Sequence, residues 1–197
     1  MELKERMQEY LDRERESLFT KVDGLSERDL RLPRTPTGTN LLGIVKHCAN
    51  VEFGYFGPTF GRMIDDPAGL LGPDDFDTDP QADWYATATE TADDIVALYR
   101  RVIVFANHTI AELDLDATGR VPWWGPDAPE VTLGHILTHV HADVARHAGQ
   151  ADILREGIDG AAGWWSPGDN LPDDFDFPAY VDRLTALADQ VATTRQR

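Results

Sequence analysis

The sequence predicts an all-α protein, an up-and-down four-helix bundle with a long crossover loop and an additional C-terminal helix. Apolar residues recur at helical spacing in long stretches, no stretch alternates as a strand would, and segments rich in Pro and Gly separate the stretches. Amphipathic helices of this kind bury their apolar faces by packing into a bundle. We expect the bundle to span residues 1–160, and residues 161–197 to form a loop and a helix packed on the same domain. Apolar residues at helical spacing predict that this last helix spans about residues 177–194.

The first three long helices are predicted over residues 2–22, 40–60 and 91–113. Each has apolar residues at intervals of three or four, with charged residues between them. Thr39 or Asn40 can cap the second helix, because both follow a break rich in Pro and Gly. In the first helix the expected buried positions are Leu3, Met7, Tyr10, Leu11, Leu18 and Val22.

Residues 63–89 are acidic, rich in Pro and Gly, and poor in periodic apolar residues, which predicts a long crossover. Residues 75–79 resemble the opening of a calcium loop. However, Pro80 stands where that loop needs Gly, and Ala86 stands where it needs Glu, so calcium is not expected. Trp84 indicates that part of the crossover packs against the bundle, and the crossover could then cover a pocket.

The fourth long helix is predicted over residues 132–160, and it carries an acid and an imidazole at the edge of the core. His147 lies on its apolar face, and Asp143 lies about 40° away at the border of that face. His139 lies about 80° from His147, and the two other histidines of this helix point further away. The side chains of Asp143 and His147 can therefore point to one spot, as a metal site in a helix bundle requires. The apolar face consists of Leu133, Ile136, Leu137, Val140, Val144, Ala151 and Leu154.

A third candidate ligand comes from the second helix. His47 lies at the flank of that helix's apolar face, in the same kind of border position as Asp143. Cys48 lies about 100° from His47, so it is expected to pack in the core as an inert thiol. Glu52 falls nearer the apolar face than a solvated acid should. Either Glu52 is a pocket acid, or its apparent position results from an imprecisely drawn helical wheel.

Composition limits the classes of partner. The chain of 197 residues has 35 acidic and 18 basic side chains and a formal net charge of −17. That charge opposes binding to phosphate backbones and to anionic membranes, so neither nucleic acid nor a membrane is an expected partner. The single cysteine excludes an internal disulfide, and no secretory leader or long apolar run is present, so we expect a cytoplasmic protein.

Three segments carry a resemblance to a known family: LLGIVKH at 41–47, VPWWG at 121–125 and HVHADVARHAGQADILRE at 139–156. Together they resemble the DinB/YfiT-like metalloenzymes, and in particular an actinobacterial branch catalogued as a domain of unknown function. The resemblance covers residues 1–160. It implies a four-helix bundle that binds a divalent metal, commonly zinc or nickel, through His47, Asp143 and His147. Relatives have His or Glu at the position of Asp143.

The same resemblance implies a metal-dependent thiol S-transferase. Its partners would be a low-molecular-weight thiol such as mycothiol and an electrophilic small molecule. Glu52 would be a catalytic proton acceptor or the partner of a metal-bound histidine. Two alternatives remain, namely a metal-dependent hydrolase and a non-catalytic, metal-stabilised stress or binding protein. Exposed aromatic residues and the added helix also predict a possible homodimer.

Overall fold

Helices dominate the part of the chain that this computed structural model describes, residues 2–166 and 168–194. Two short 3₁₀ turns, Pro58–Phe60 and Pro122–Trp124, and one pair of two-residue strands complete the regular structure of those residues. Among the described helices, none is long and apolar enough to cross a membrane. The helices are α1 (Leu3–Val22), α2 (Glu27–Arg31), α3 (Leu41–Phe56), α4 (Pro73–Thr78), α5 (Ala92–Glu112), α6 (Leu133–Asp159) and α7 (Phe177–Thr194).

The bundle consists of α1, α3, α5 and α6. Helix α1 packs along α6, and α3 packs along both α5 and α6. Contacts between α3 and α6 run in opposite order along the two helices, since His47 lies beside His147 whereas Tyr55 lies beside His139. These two helices are therefore antiparallel. The predicted all-α fold is confirmed.

Helices α3 and α5 run in the same direction. Lys46, near the start of α3, forms an ion pair of 2.9 Å with Glu90, just before α5. Phe53, near the end of α3, contacts Phe105 in the second half of α5. The chain must therefore travel back along the bundle between them, which is why residues 57–91 form a long crossover. Strict alternation of helix direction is broken at this one step.

The apolar faces predicted for α3, α5 and α6 form the core, whereas the face of α1 is narrower than expected. Leu11, Leu18 and Val22 are buried, but Leu3 is 65% exposed and Tyr10 is 44% exposed. Both exposed residues lie about 80–100° from Leu11 on the helical wheel, so they fall outside the buried stripe.

Glu52 lies in the core and is paired with two buried residues. Its carboxylate accepts hydrogen bonds from the Nε of Arg15 at 3.1 Å and from the Tyr99 hydroxyl. Burial favours the neutral form of Arg15, but the adjacent Glu52 carboxylate outweighs that effect and raises the pKa of the guanidinium. The network joins α1, α3 and α5. Glu52 therefore lies within the core, on the apolar face of α3, and its charge is paired there.

Two strands that the sequence did not predict, β1 (Thr118–Gly119) and β2 (Val131–Thr132), pair antiparallel just before α6. Two residues are too few for an alternating pattern to be visible in the sequence. The strands hold the ends of the loop at 120–130 together, and this loop carries two adjacent tryptophans.

The C-terminal extension contacts the bundle through its first segment. Lys21 is buried, and its Nζ donates to the Trp164 carbonyl at 2.7 Å, while the Ser17 hydroxyl donates to the same carbonyl at 3.1 Å. Helix α7 begins and ends where the sequence predicted, but its apolar side chains do not cover the bundle. The exposed residues of this face are Val181, Leu184, Leu187 and Val191.

Candidate metal centre

The structure brings the three predicted ligands together. His47 projects from α3, and Asp143 and His147 project from α6, one turn apart. The Nε2 atom of His47 lies 4.0 Å from one Asp143 oxygen, and the Nε2 atom of His147 lies 3.7 Å from the other. One ligand atom from each residue lies within 4.8 Å of the other two.

This arrangement fits a divalent metal ion. Ligand atoms bound tetrahedrally at zinc lie about 3.3 Å apart, given metal–ligand bonds of roughly 2.0–2.2 Å. The observed separations of 3.7 and 4.0 Å between the Asp143 oxygens and the imidazole nitrogens are slightly longer than that spacing. The Oδ2 atom of Asp143 is buried and has no hydrogen-bond partner among the described residues. A shielded carboxylate oxygen without a partner is unfavourable, and a bound cation would satisfy it.

Hydrogen bonds orient both imidazoles toward the same point. The Nδ1 atom of His47 lies 2.7 Å from a carboxylate oxygen of Asp83, and the Nδ1 atom of His147 lies 2.8 Å from the amide oxygen of Gln150. Because both partners are acceptors, each Nδ1 donates its N–H, which leaves Nε2 as the nitrogen that faces the centre. A carboxylate behind a histidine fixes its tautomer and makes it a stronger metal ligand.

Trp84 covers one side of the centre. Its ring stacks on His47 with a centroid distance of 4.0 Å and an interplanar angle of 20°, and it meets the edge of His147 at 5.3 Å. The side-chain amide of Asn40, the N-cap of α3, donates to the Trp84 carbonyl at 3.0 Å and so ties the crossover to the helix. Burial lowers the pKa of His147, which favours the neutral imidazole that a metal needs.

A family model described as mycothiol-S-transferase matches residues 6–160. The chain belongs to the mycothiol-S-transferase family. A solved structure of a conserved protein from Enterococcus faecalis is similar at 15% identity with a TM-score of 0.56, covering 81% of this chain and 99% of that one. At that identity the likeness shows the fold alone. No curated protein matches the chain.

In this member of the mycothiol-S-transferase family, the sequence pattern did not predict two residues that hydrogen-bond to the ligands. Asp83 lies in the crossover, where no periodicity indicates the direction of a side chain. Gln150 follows His147 by three residues, and that spacing could have identified it. The partner predicted for a metal-bound histidine was Glu52, but the residue bonded to His47 is Asp83.

The remaining histidines of α6 lie outside the ligand cluster. The Nε2 atom of His139 lies 3.0 Å from the Tyr55 hydroxyl, and His141 meets the Tyr10 ring edge-on at a centroid distance of 6.2 Å. His135 is exposed. Cys48 is fully buried, and burial raises the pKa of its thiol, so it does not offer a thiolate to the centre.

Proposed function

We propose that this chain is a metal-dependent enzyme that joins a low-molecular-weight thiol, such as mycothiol, through its sulfur to an electrophilic small molecule. The family to which it belongs supports the use of mycothiol. The observation that carries the proposal is the convergence of two oriented imidazole Nε2 atoms on the Asp143 carboxylate, one oxygen of which is buried and has no hydrogen-bond partner among the described residues.

The proposed metal is zinc or nickel. Two imidazoles and one carboxylate suit both ions, and three protein ligands leave a position open, as in catalytic sites. When bound, the metal would lower the pKa of a coordinating thiol so that the thiolate is present near neutral pH. Asp143 has a shorter arm than the Glu of relatives, but its oxygens already lie 3.7–4.0 Å from the two imidazoles.

The protein's own residues position the reactants. Asp83 and Gln150 keep His47 and His147 in the tautomer that binds a metal, and Trp84 shields one side of the centre from water. The side chain of Asp143 is the most exposed of the three ligands, at 29%, so the thiol approaches from its side. The reaction breaks the S–H bond and forms a C–S bond with the electron pair left on sulfur. The proton passes to the electrophile or its leaving group.

Glu52 remains a predicted catalytic residue, and its environment suggests how to test that role. Its carboxylate already accepts from Arg15 and Tyr99 inside the core, which supports a role in joining the helices around the centre. The Glu52→Gln variant, examined at equal metal content, separates the two roles. A proton acceptor would change the pH dependence of turnover, whereas a residue that only joins helices would change stability.

We also propose that the protein acts in the cytoplasm and forms a homodimer. A single buried cysteine and a thiol cosubstrate suit a reducing compartment. Helix α7 exposes an apolar side that a second subunit could cover. Light scattering of the purified full chain tests the dimer, and a monomeric mass at micromolar concentration would contradict it.

The first test is metal content per chain after purification without a chelating column. We expect about one zinc or nickel ion per chain, as for a single three-ligand site. His47→Ala, Asp143→Ala and His147→Ala should lose it. His141→Ala is the matched control, since it removes a histidine of α6 outside the cluster. Folded, metal-free protein that takes up neither ion when offered would contradict the proposed enzyme.

The second test is turnover of a model electrophile, 1-chloro-2,4-dinitrobenzene, by metal-loaded protein with and without mycothiol. Consumption that depends on both the metal and the thiol supports S-transfer. Hydrolysis of an ester substrate without any thiol would instead support the hydrolase alternative. A metal that raises stability while no substrate is turned over would support the non-catalytic alternative.

A further inference from the structure

A second cluster of aromatic and polar side chains lies between α3 and α6. The Tyr55 hydroxyl accepts a hydrogen bond from the indole Nε1 of Trp124 at 3.3 Å and lies 3.0 Å from the Nε2 atom of His139. The ring of Trp123 meets Tyr55 edge-on at a centroid distance of 5.0 Å. None of these side chains has a role in the proposed S-transfer step.

This cluster lies in the same seam of the bundle as the metal centre. Gly54 is seven residues beyond His47 on α3, so it lies about 20° from it on the helical wheel and about 10 Å along the helix. A Cβ atom at Gly54 would come within 2.7 Å of the Trp123 ring, which therefore lies against the backbone of α3. On the facing helix, His139 precedes His147 by about two turns. The indole of Trp123 thus lies on the His47 side of α3.

Trp123 has a large free surface. Its contact with Gly54 leaves 53% of the residue exposed, whereas Tyr55 behind it is buried and Trp124 is partly buried. An exposed indole that packs on Tyr55, whose hydroxyl bonds to His139, suits a hydroxylated ring. The apolar C–H face of such a ring stacks on the indole, and its hydroxyls bond to the polar groups beside it.

The charge of the protein favours an uncharged ligand here. A formal net charge of −17 repels anionic thiols such as glutathione during approach, whereas it does not oppose a neutral one. Trp123 lies against Gly54, which is about 10 Å along α3 from the metal ligand His47. A ligand bridging the two places therefore carries its ring at roughly that distance from its sulfur. Mycothiol, a cysteine derivative that carries two hydroxylated rings, has this form.

We propose that Trp123, with Tyr55 beside it and His139 bonded to Tyr55, is the subsite for the uncharged, hydroxylated ring portion of the thiol cosubstrate. This inference rests on the proposed function, because it places the sulfur of the same molecule at the metal centre. Gly54 permits the subsite by letting the indole approach the helix, and the hydrogen-bonded Tyr55, Trp124 and His139 side chains hold the site in shape.

The test measures turnover of two thiols by the metal-loaded full chain and by variants of two of its tryptophans. Mycothiol carries the rings, and N-acetylcysteine carries the same reacting group without them. Trp123→Ala should raise KM for mycothiol about tenfold, as expected for the loss of one aromatic stacking contact. It should leave kcat/KM for N-acetylcysteine unchanged. Trp165→Ala is the matched control, because Trp165 is a loop tryptophan with 42% exposure that packs beside α1.

A binding measurement without electrophile gives an independent readout. Titration with mycothiol should change the tryptophan fluorescence of the native protein and of Trp165→Phe equally, and the change should be smaller in Trp123→Phe, in which Trp84 remains beside the bound thiol. Equal metal content and equal circular dichroism spectra establish that each variant is folded.

The outcomes separate the two proposals. If both thiols react with the native protein and Trp123→Ala affects both or neither, the subsite is wrong while S-transfer stands. If neither thiol is turned over by metal-loaded native protein, S-transfer itself fails, and the subsite inference fails with it.

Discussion

Asp83 is the residue through which the crossover acts on the metal centre. Its carboxylate lies 2.7 Å from the Nδ1 atom of His47. We predict that Asp83→Asn weakens zinc affinity about 10- to 100-fold, because the amide is a poorer partner for the imidazole N–H. Competition with a chromogenic chelator measures the affinity. Asp77→Asn is the control, since Asp77 is an exposed acid of the same crossover. Equal affinities in both variants would contradict the role given to Asp83.

Cys48 adjoins a ligand in the sequence, but its thiol is shielded. Burial raises its pKa well above the ordinary value, and the carboxylate of Glu52 adds to that rise. We predict that iodoacetamide at pH 8 leaves the native protein nearly unmodified and modifies one thiol per chain in urea, as mass spectrometry would show. Rapid modification of the native protein would disprove the assignment.

The raised pKa of Cys48 makes the stability of the folded chain depend on pH. The folded chain binds this proton more tightly than the unfolded chain, in which thiols titrate near about pH 8.5. The contribution of Cys48 to stability is therefore complete below that pH and declines as the pH rises above it. Cys48→Ala should remove this part of the pH dependence of urea unfolding.

At the scale of elements, the docking of the crossover on α3 depends on a glycine. A Cβ atom at Gly43 would lie 1.9 Å from the Trp84 carbonyl oxygen, a distance that forces the backbone apart. We predict that Gly43→Ala lowers the free energy of unfolding and weakens zinc binding, because it displaces Trp84 and the adjacent Asp83. Urea unfolding and chelator competition measure the two effects.

Gly149 provides the matched control for this substitution. It also lies within a helix, α6, but a Cβ atom there would meet nothing within 4 Å. Gly149→Ala should therefore raise stability by about 0.5–1 kcal/mol, since alanine loses less conformational freedom in a helix. If both variants behaved alike, close packing of the crossover on α3 would not be the cause.

Helical periodicity made the three metal ligands predictable from the sequence. Asp83, which hydrogen-bonds to one of them, could not be predicted because its segment has no periodicity. A helix fixes the angle between side chains, so Asp143 and His147 could be placed on one face and His47 on another that meets it. Asp83 belongs to a crossover without periodicity, so only the packing of Trp84 was expected there. Periodicity also located α7 correctly, but it indicates a face that can be buried and does not identify what buries it.

At the scale of the whole molecule, the C-terminal extension divides into a docked segment and an exposed helix. We predict that a chain ending after Asn170 keeps the thermal midpoint and metal content of the full chain, because the docked segment at 161–166 remains. Circular dichroism melts measure the midpoint. A large loss on this truncation would show that α7 stabilises the bundle.

A chain ending after Gly160 provides the contrast. It removes the carbonyls of Gly163 and Trp164 that accept from the buried ammonium of Lys21. Lys21 keeps its ion pair of 3.0 Å with Asp152 but loses these two hydrogen bonds, and hydrogen bonds of a charged group contribute about 1.5–3 kcal/mol each. This shorter chain should therefore melt at a lower temperature than the longer one. Identical midpoints for the two truncations would contradict the docking of the segment at 161–166.

The parallel course of α3 and α5 has a consequence for how relatives of this protein can diverge. The segment at 57–91 must cover the length of the bundle, and it packs on the core through partly buried side chains such as Leu70, Trp84 and Ala86. It also delivers Asp83 and Trp84 to the metal centre. Mutation in this one connection can therefore retune metal affinity and access while the helical scaffold is inherited unchanged. The bundle and its chemistry are, to that extent, free to evolve separately.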